Sequence, residues 1–189
     1  MSRFKTLKTE TIDKNFRWEY KKDKIKLPNG KKTDYFYIES LGASFVVPIL
    51  DDGRLVLVTQ YRYLRDKLSV EFPGGAIEKE MTAIETANTE LLEESGYKAG
   101  ELTKAGEFDA INGLLRETSH IFIGAELKQI GEPTPEESEE GMQVIYRRVD
   151  EFEEMISRGD IWDGQTLAAW MIARKHVLKI IREYGLQTN

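Results

Sequence analysis

Three glutamates, Glu90, Glu93 and Glu94, have the residue type and spacing that could do chemistry. On a helix, residues four apart share one side with Cβ atoms about 5–6 Å apart, so Glu90 and Glu94 would be a carboxylate pair. Such a pair repels unless a cation lies between its members, and hard divalent ions such as Mg²⁺ prefer oxygen ligands. Gly74 and Gly75 let the backbone approach the same ion, so the Gly74 carbonyl is a further candidate ligand. The alternative is a solvated acidic helix face.

The segment that carries these glutamates is predicted to be a helix over residues 83–95. Thr82 and Glu85 have the capping-box spacing at its start, and Gly96 suits the left-handed residue that closes a helix. Apolar residues recur at helical spacing, and we expect the glutamate pair to lie opposite the stripe that they form. The stripe consists of Ile84, Ala87 and Leu91.

Strands outnumber helices in the rest of the sequence. Runs rich in Val, Ile and Leu between turn residues indicate strands, and the Asn29-Gly30 pair is a strong hairpin turn. The order is not a regular βαβ alternation, which favours an α+β fold with a mixed sheet flanked by helices. The predicted strands are residues 16–27, 31–39, 43–50, 55–61, 68–72, 101–108, 118–127 and 142–149, and the two later helices are 150–159 and 166–184.

Composition and charge exclude several functional classes. The 189 residues include no Cys and two His, which excludes disulfides, thiol nucleophiles and cysteine zinc sites. Residues 1–35 hold eleven Lys/Arg against five Asp/Glu, yet the whole chain has a net charge of −6. The acidic remainder argues against nucleic-acid binding, while the basic arm is either an interaction arm or a solvated strand face. Apolar runs are too short for a membrane span and the N-terminus lacks a signal-peptide core, so we expect a cytoplasmic protein.

The glutamates lie in a longer motif that resembles the Nudix box. That pattern reads G, five residues, E, seven residues, R-E-U-x-E-E-x-G-U, where U is a bulky apolar residue. The segment GGAIEKEMTAIETANTELLEESGY matches it from Gly75, with Met81 at the first glutamate and Thr89 at the arginine. In the family these two positions support the box, and the helix glutamates chiefly hold the metal. The resemblance therefore implies a Mg²⁺ (or Mn²⁺) site on Glu90 and Glu94.

The flanking segments are similar to the ADP-ribose pyrophosphatase branch of the family, which also handles nucleotide sugars. The strands around LPNGKK, the segment RLVLVTQYRY and the closing DEFEEMISRGDIWDGQTLAAWMIAR follow that branch in order. The resemblance implies a Nudix fold, with a mixed sheet between helices and a small N-terminal antiparallel sheet. It divides the chain into residues 1–41, expected to form a homodimer, and a catalytic domain of residues 42–189. The implied reaction is attack by water on a nucleoside diphosphate sugar, giving a nucleoside monophosphate and a sugar phosphate.

The resemblance also implies where the general base lies. In this branch it often comes from an acidic loop before the last strand, here EPTPEESEE over residues 132–140. Glu139 and Glu140 are the first choices, ahead of Glu137. Glu93 is a weaker candidate, either as a metal ligand or as a residue that orients the site.

Four residues are candidates for contact with the substrate. Arg62 offers a fork of donors to phosphate oxygens, although a surface ion pair is the plainer interpretation. Trp18 and Tyr35 offer aromatic faces on which a base could stack, with simple packing as their alternative. Glu117 lies in another loop that faces such sites, where it could contact metal or water.

Two functional interpretations stay open from the sequence. The three intact glutamates and the acidic loop favour a metal-dependent hydrolase. The departures at Met81 and Thr89 favour a Nudix-fold module that binds a nucleotide but turns over poorly. Loss of residues that support a metal site typically costs 10–100-fold in affinity or activity.

Overall fold

The computed structural model describes residues 3–186, so both outer ends of the two predicted domains lie outside the described residues. Within this range, no helix is long and apolar enough to cross a membrane. The helices are α1 (Ala83–Ser95), α2 (Val149–Arg158) and α3 (Gly164–Glu183). The strands are β1 (Lys5–Lys14), β2 (Trp18–Lys26), β3 (Lys32–Ser40), β4 (Ala43–Pro48), β5 (Leu55–Arg62), β6 (Lys67–Glu71), β7 (Gly74–Ala76), β8 (Tyr97–Lys98), β9 (Glu101–Phe108), β10 (Leu115–Arg116), β11 (Ser119–Ala125), β12 (Lys128–Gln129) and β13 (Gln143–Arg147).

A mixed sheet forms the centre of the molecule. Its strand order is β7-β4-β11-β9, with β4 and β11 parallel and the outer pairs antiparallel. A three-stranded antiparallel sheet, β13-β5-β6, lies beside it, and β12 pairs with β8. The short strand β7 carries the two glycines that precede α1, so its pairing with β4 fixes the backbone next to the glutamate helix.

Helices cover the central strands from two sides because successive side chains of a strand point to opposite faces. Phe45 and Val47 of β4 pack into the cluster that contains residues of α2 and α3. Val46, between them, packs into the second cluster with Ala87 and Leu91 of α1. The mixed sheet thus lies between α1 on one side and the two later helices on the other.

The N-terminal sheet has the order β1-β2-β3-β10. Its first three strands are antiparallel, and the 27–31 turn is closed by hydrogen bonds between Leu27 and Gly30 and between Leu27 and Lys31. The fourth strand comes from the main body and pairs in parallel, with Leu115 opposite Ile38. A boundary between residues 41 and 42 would fall between β3 and β4. The later strand β10, however, pairs with β3 in this sheet. That boundary stays a prediction.

Most predicted elements correspond to observed ones within a few residues. The helix over 83–95 coincides with α1, and Gly96 closes it with φ of 73°. The sequence did not indicate β1, whose ten residues are all exposed, nor the short β7. Neither has a run of buried apolar side chains, which is the signal that identified the other strands.

Candidate active site

The start of α1 is fixed by its own capping residues. The Thr82 amide donates to the Glu85 carboxylate at 2.8 Å, and the Glu85 amide donates to the Thr82 hydroxyl at 3.4 Å. This reciprocal pair satisfies amides that have no partner within the first turn. The register of the helix, and with it the direction of each glutamate further along, follows from this start.

Glu94 lies inside the protein rather than on an open helix face. Its side chain is 1% exposed, and one oxygen, Oε2, accepts a hydrogen bond from the Gly74 amide at 2.9 Å. The other oxygen, Oε1, is buried without a hydrogen-bond partner in the described residues. The expectation that Glu94 lies opposite the apolar stripe was wrong, because Glu94 follows Ala87 and Leu91 at helical spacing and shares their buried face. Ile84, the third predicted member of the stripe, is 43% exposed.

Glu90 is half-buried one turn before Glu94 and lies against Gly75. Burial, together with the nearby charges of Glu139, Glu93 and Glu136, raises its pKa to about 7, whereas the charge of Arg17 lowers it. Glu90 therefore holds its proton more tightly than an ordinary glutamate does.

The pKa of Glu94 is raised still more, to about 9. Burial is the main cause, and the charges of Glu90 and Glu139 add to it. The hydrogen bond from the Gly74 amide acts in the opposite direction. A cation placed beside the two carboxylates would reverse this balance, because an opposite charge favours the ionised form.

A cavity of about 720 Å³, here called the glutamate cavity, is lined by Glu90, whereas Glu94 is not part of its lining. Its lining includes Glu90 and Glu93 from α1. It also includes Glu136 and Glu139 from the acidic loop. Further lining residues come from the basic segment of residues 1–35, here called the N-terminal arm. The arm residues that line it include Lys14, Phe16, Arg17 and Trp18.

The acidic loop contributes Glu139, but not Glu140 or Glu137, to the cavity lining. Glu139 ends a 3₁₀ turn over Glu137–Glu139, and its carboxylate accepts a hydrogen bond from the Glu136 amide at 3.0 Å. The Thr134 amide ties the loop to α1 by donating to the Glu93 carbonyl at 2.7 Å. Glu140 is exposed outside this cavity.

Arg62 is engaged within the protein. Its guanidinium forms a two-pronged ion pair with Glu71, with Nε donating to Oε1 at 2.8 Å. Glu71 is 4% exposed, so the arginine compensates a buried charge. Arg62 does not line the cavity over the glutamates, and a substrate phosphate would have to compete with Glu71 for it.

Tyr35 and Glu117 line a second cavity, of about 790 Å³, on the other side of the segment over residues 39–41. The Tyr35 hydroxyl donates to the Gly113 carbonyl at 2.6 Å, and Glu117 accepts from the Ser40 hydroxyl at 2.7 Å. The structure therefore brings Trp18, Glu90, Glu93 and Glu139 together and leaves these two residues apart.

The residues of the cavity lining that the sequence did not suggest include Phe16, Arg17 and Glu136. Phe16 is 88% exposed, and the Arg17 guanidinium lies over its ring. The surplus of basic residues in the N-terminal arm was the signal that pointed toward Arg17. Nothing in the sequence separates Glu136 from the other loop glutamates.

The donor set suits a hard divalent ion. In the part of the chain that the structure describes, no group of three or more His, Cys, Asp or Glu side chains is placed so that it could hold a metal ion. Two carboxylates are present, however, and the buried Oε1 of Glu94 lacks a partner. Mg²⁺ typically binds through one or two carboxylates and completes its coordination with water and substrate phosphates. The residues present fit that mode.

The chain is similar to several known proteins. A model of the NUDIX domain matches residues 40–170. The chain is 30% identical over 145 residues to the ADP-ribose pyrophosphatase of Bacillus subtilis, which covers 77% of this chain and 78% of the relative. It is also 30% identical over 165 residues to the methanol dehydrogenase activator of Bacillus methanolicus, covering 87% and 89%. Similarity to the GDP-mannose pyrophosphatase of Salmonella typhimurium is 27% over 141 residues, covering 69% and 72%.

A solved structure shows the same fold. The crystal structure of an ADP compounds hydrolase superposes with a TM-score of 0.81 and 20% identity, covering 95% of this chain and 97% of the other. The predicted α+β Nudix fold is confirmed by this likeness and by the domain match. Because that match spans more than half of the sequence and includes the glutamate helix, the chain belongs to the Nudix hydrolase superfamily.

Proposed function

We propose that the protein hydrolyses the pyrophosphate bond of a nucleoside diphosphate sugar, with ADP-ribose as the first substrate to test. The observation that carries the proposal is the buried, half-satisfied carboxylate of Glu94, one helical turn after Glu90, which lines the cavity together with Glu139. The names of the relatives from Bacillus subtilis and Salmonella typhimurium support the substrate class. The volume of about 720 Å³ is within the range of small-molecule sites.

Glu90 and Glu94 would hold Mg²⁺ or Mn²⁺, with Glu93 and the Gly74 carbonyl as further candidate ligands. When bound, the ion neutralises the pyrophosphate and makes water more acidic. The Gly74 amide holds Oε2 of Glu94 in place, which leaves Oε1 for the ion. Both side chains would release their protons as the ion binds.

Glu139 is our choice for the general base. Its Oε2 is held by the Glu136 amide, so the carboxylate has a defined orientation at the cavity wall. From there it would accept the proton of the attacking water. For ADP-ribose, the products would be AMP and ribose 5-phosphate. Glu140 and Glu137 lie outside the cavity lining and become weaker candidates.

Trp18 and Phe16 would form the surface on which a base stacks. Trp18 is 38% exposed at the cavity wall, so an aromatic face remains available. Substrate contacts by Arg62, Tyr35 and Glu117 stay predictions, as do the homodimer and the cytoplasmic location. Arg62 would reach substrate only after release from Glu71.

The test is turnover of a panel of nucleoside diphosphate sugars with Mg²⁺ or Mn²⁺ and an EDTA control. Alkaline phosphatase in the assay releases phosphate from the monoester products but not from the intact diphosphate. We expect metal-dependent cleavage that Glu94→Gln abolishes while the fold is retained. A folded protein that cleaves no member of the panel would overturn the proposal.

A second candidate function is a nucleotide-binding module with weak turnover. Met81 and Thr89, in place of the glutamate and arginine of the Nudix box, favour it. Calorimetric titration with ADP-ribose separates the two functions, because a binding module would retain affinity without turnover.

A further inference from the structure

The turn between β1 and β2 presents Arg17 to the cavity in a fixed way. The side-chain oxygen of Asn15 accepts hydrogen bonds from the Arg17 amide at 2.8 Å and from the Trp18 amide at 2.9 Å. The Asn15 amide in turn donates to the Trp18 carbonyl at 3.0 Å. The Arg17 guanidinium also lies over the Phe16 ring, 5.3 Å from its centroid. A turn tied in this way presents its side chains in a defined direction.

A chain of contacts runs from this turn to the acidic loop. Arg17 Nη2 lies 3.3 Å from Glu136 Oε2. The amide of the same Glu136 donates to the Glu139 carboxylate at 3.0 Å. Glu136 is therefore held by the arm through its side chain and holds Glu139 through its backbone. The other tie of the loop, from Thr134 to the Glu93 carbonyl, fixes only its first part.

The composition of the cavity explains why a cation is needed at this point. Glu90, Glu93, Glu136 and Glu139 all line it, and like charges at such range repel. The Nudix-box arginine is replaced by Thr89, which brings no charge. Lys21, another cation of the lining, is engaged with Glu19 and Glu39 on the arm itself. Arg17, by contrast, pairs across the cavity with the loop.

We propose that Arg17 is a positioning residue, which holds Glu136 and thereby keeps the 132–140 loop in the arrangement that directs Glu139 toward the cavity. The inference rests on the proposed function, since Glu139 matters as the base of that reaction. Arg17 need not touch the substrate in this role. It acts on the rate of the chemical step, through the fraction of molecules in which the loop is in place.

The test compares Arg17→Ala with Lys8→Ala, which also removes an exposed ion-paired cation, from β1, but one outside the cavity lining. We expect Arg17→Ala to lower kcat about two- to fivefold, the range that an exposed ion pair can supply, with KM changed less than twofold. Hydrogen exchange of the amides in residues 132–140 should accelerate by a similar factor. Lys8→Ala should change neither quantity by more than about twofold.

Variants that exchange the two charges of the ion pair provide a second test. Arg17→Glu should lower kcat more than Arg17→Ala, because it places a further carboxylate beside Glu136. The double variant Arg17→Glu with Glu136→Arg should return kcat and exchange to within about twofold of the parent. A larger KM with unchanged kcat in Arg17→Ala would overturn the proposal, since it would mean direct contact with substrate. Unchanged loop exchange, or no recovery in the double variant, would overturn it as well.

The exchange measurement separates this inference from the proposed hydrolase function. If the parent protein cleaves no nucleoside diphosphate sugar, the hydrolase proposal fails, yet exchange still shows whether Arg17 holds the loop. If turnover is present and loop exchange does not respond to Arg17→Ala, the hydrolase stands and the role of Arg17 is wrong.

Discussion

The carboxylate of Glu90 occupies the space that a β-carbon on residue 75 would fill. An ideal Cβ built on Gly75 would meet Glu90 Oε1 well inside 3.0 Å, closer than real Cβ atoms approach. The observed position of the Glu90 carboxylate therefore requires glycine at residue 75. The atom that would have to move is the end of a flexible glutamate, so the fold itself does not depend on it.

Gly75→Ala should accordingly impair the site without unfolding the protein. We expect the displaced Glu90 to weaken metal binding by about 10–100-fold, while the free energy of unfolding in EDTA changes by less than about 1 kcal/mol. Gly74→Ala is the matched comparison. Its β-carbon would meet backbone atoms, including Phe45 Cα at 2.8 Å, so we expect a loss of about 1–3 kcal/mol of stability. Metal titration and urea unfolding of both variants test this contrast.

The metal-free protein should lose stability as pH rises. The unfolded chain releases the protons of these glutamates near 4.5, whereas the folded chain holds them until about 7 at Glu90 and about 9 at Glu94. Between these values the unfolded state binds fewer protons, so the free energy of unfolding falls with pH. Glu94→Gln should therefore match the parent near pH 5 and be more stable than the parent at pH 8.5. Urea unfolding in EDTA at both pH values measures this, and equal stability at pH 8.5 would contradict it.

Restoring the two Nudix-box residues should strengthen the metal site. Met81→Glu combined with Thr89→Arg supplies the residues that support the box in the family, and we expect metal affinity to rise about tenfold. The rise in melting temperature with added Mg²⁺ or Mn²⁺ reports that affinity. Each single change, which adds one unpaired charge, serves as the control. An unchanged affinity in the double variant would mean that other residues already support the site.

Glu139 and Glu140 are adjacent, yet only Glu139 lines the glutamate cavity. We expect Glu139→Gln to lower kcat about 10²–10⁴-fold, the usual contribution of a general base. Glu140→Gln should lower it less than about threefold. Steady-state turnover of the best substrate in the panel compares the two, and equal losses would place the base elsewhere.

The exposed edge strand β1 makes a prediction about assembly. Its ten residues, which include Leu7 and Ile12, pair with β2 on one side and are exposed throughout. Unpaired strand edges are templates for association with another chain. We expect light scattering to give twice the mass of one chain, and a monomer at micromolar concentration would exclude the proposed homodimer.

Local signals in the sequence predicted much of the fold. The capping residues and Gly96 predicted the bounds of α1, and runs rich in Val, Ile and Leu located β4, β5 and β11. The exposed strand β1 could not be found in this way, because its pairing with β2 leaves no buried face. The parallel strand β10 is two residues long and exists only through its contact with β3.

The candidate site was predictable only in part, for a similar reason. The spacing of Glu90 and Glu94 is a local property, so the pair could be identified. The burial of Glu94 depends on the Gly74 amide, which β7 places next to α1. The contact of Arg17 with Glu136 joins residues 119 positions apart. Such relations arise from packing of distant segments, about which a single sequence carries no periodic signal.

The parallel pairing of β10 with β3 joins the N-terminal sheet to the rest of the protein by backbone hydrogen bonds. Hydrogen bonds from Tyr35 to Gly113 and from Ser40 to Glu117 reinforce it on either side. A shift of the sheet would carry the 113–117 segment along and move Trp18 over the glutamates at the same time. A chain trimmed to residues 42–189 would lose the lining residue Trp18 from the glutamate cavity. It would also lose Tyr35 from the lining of the second cavity. The N-terminal sheet and the strands that follow it are thus one structural unit.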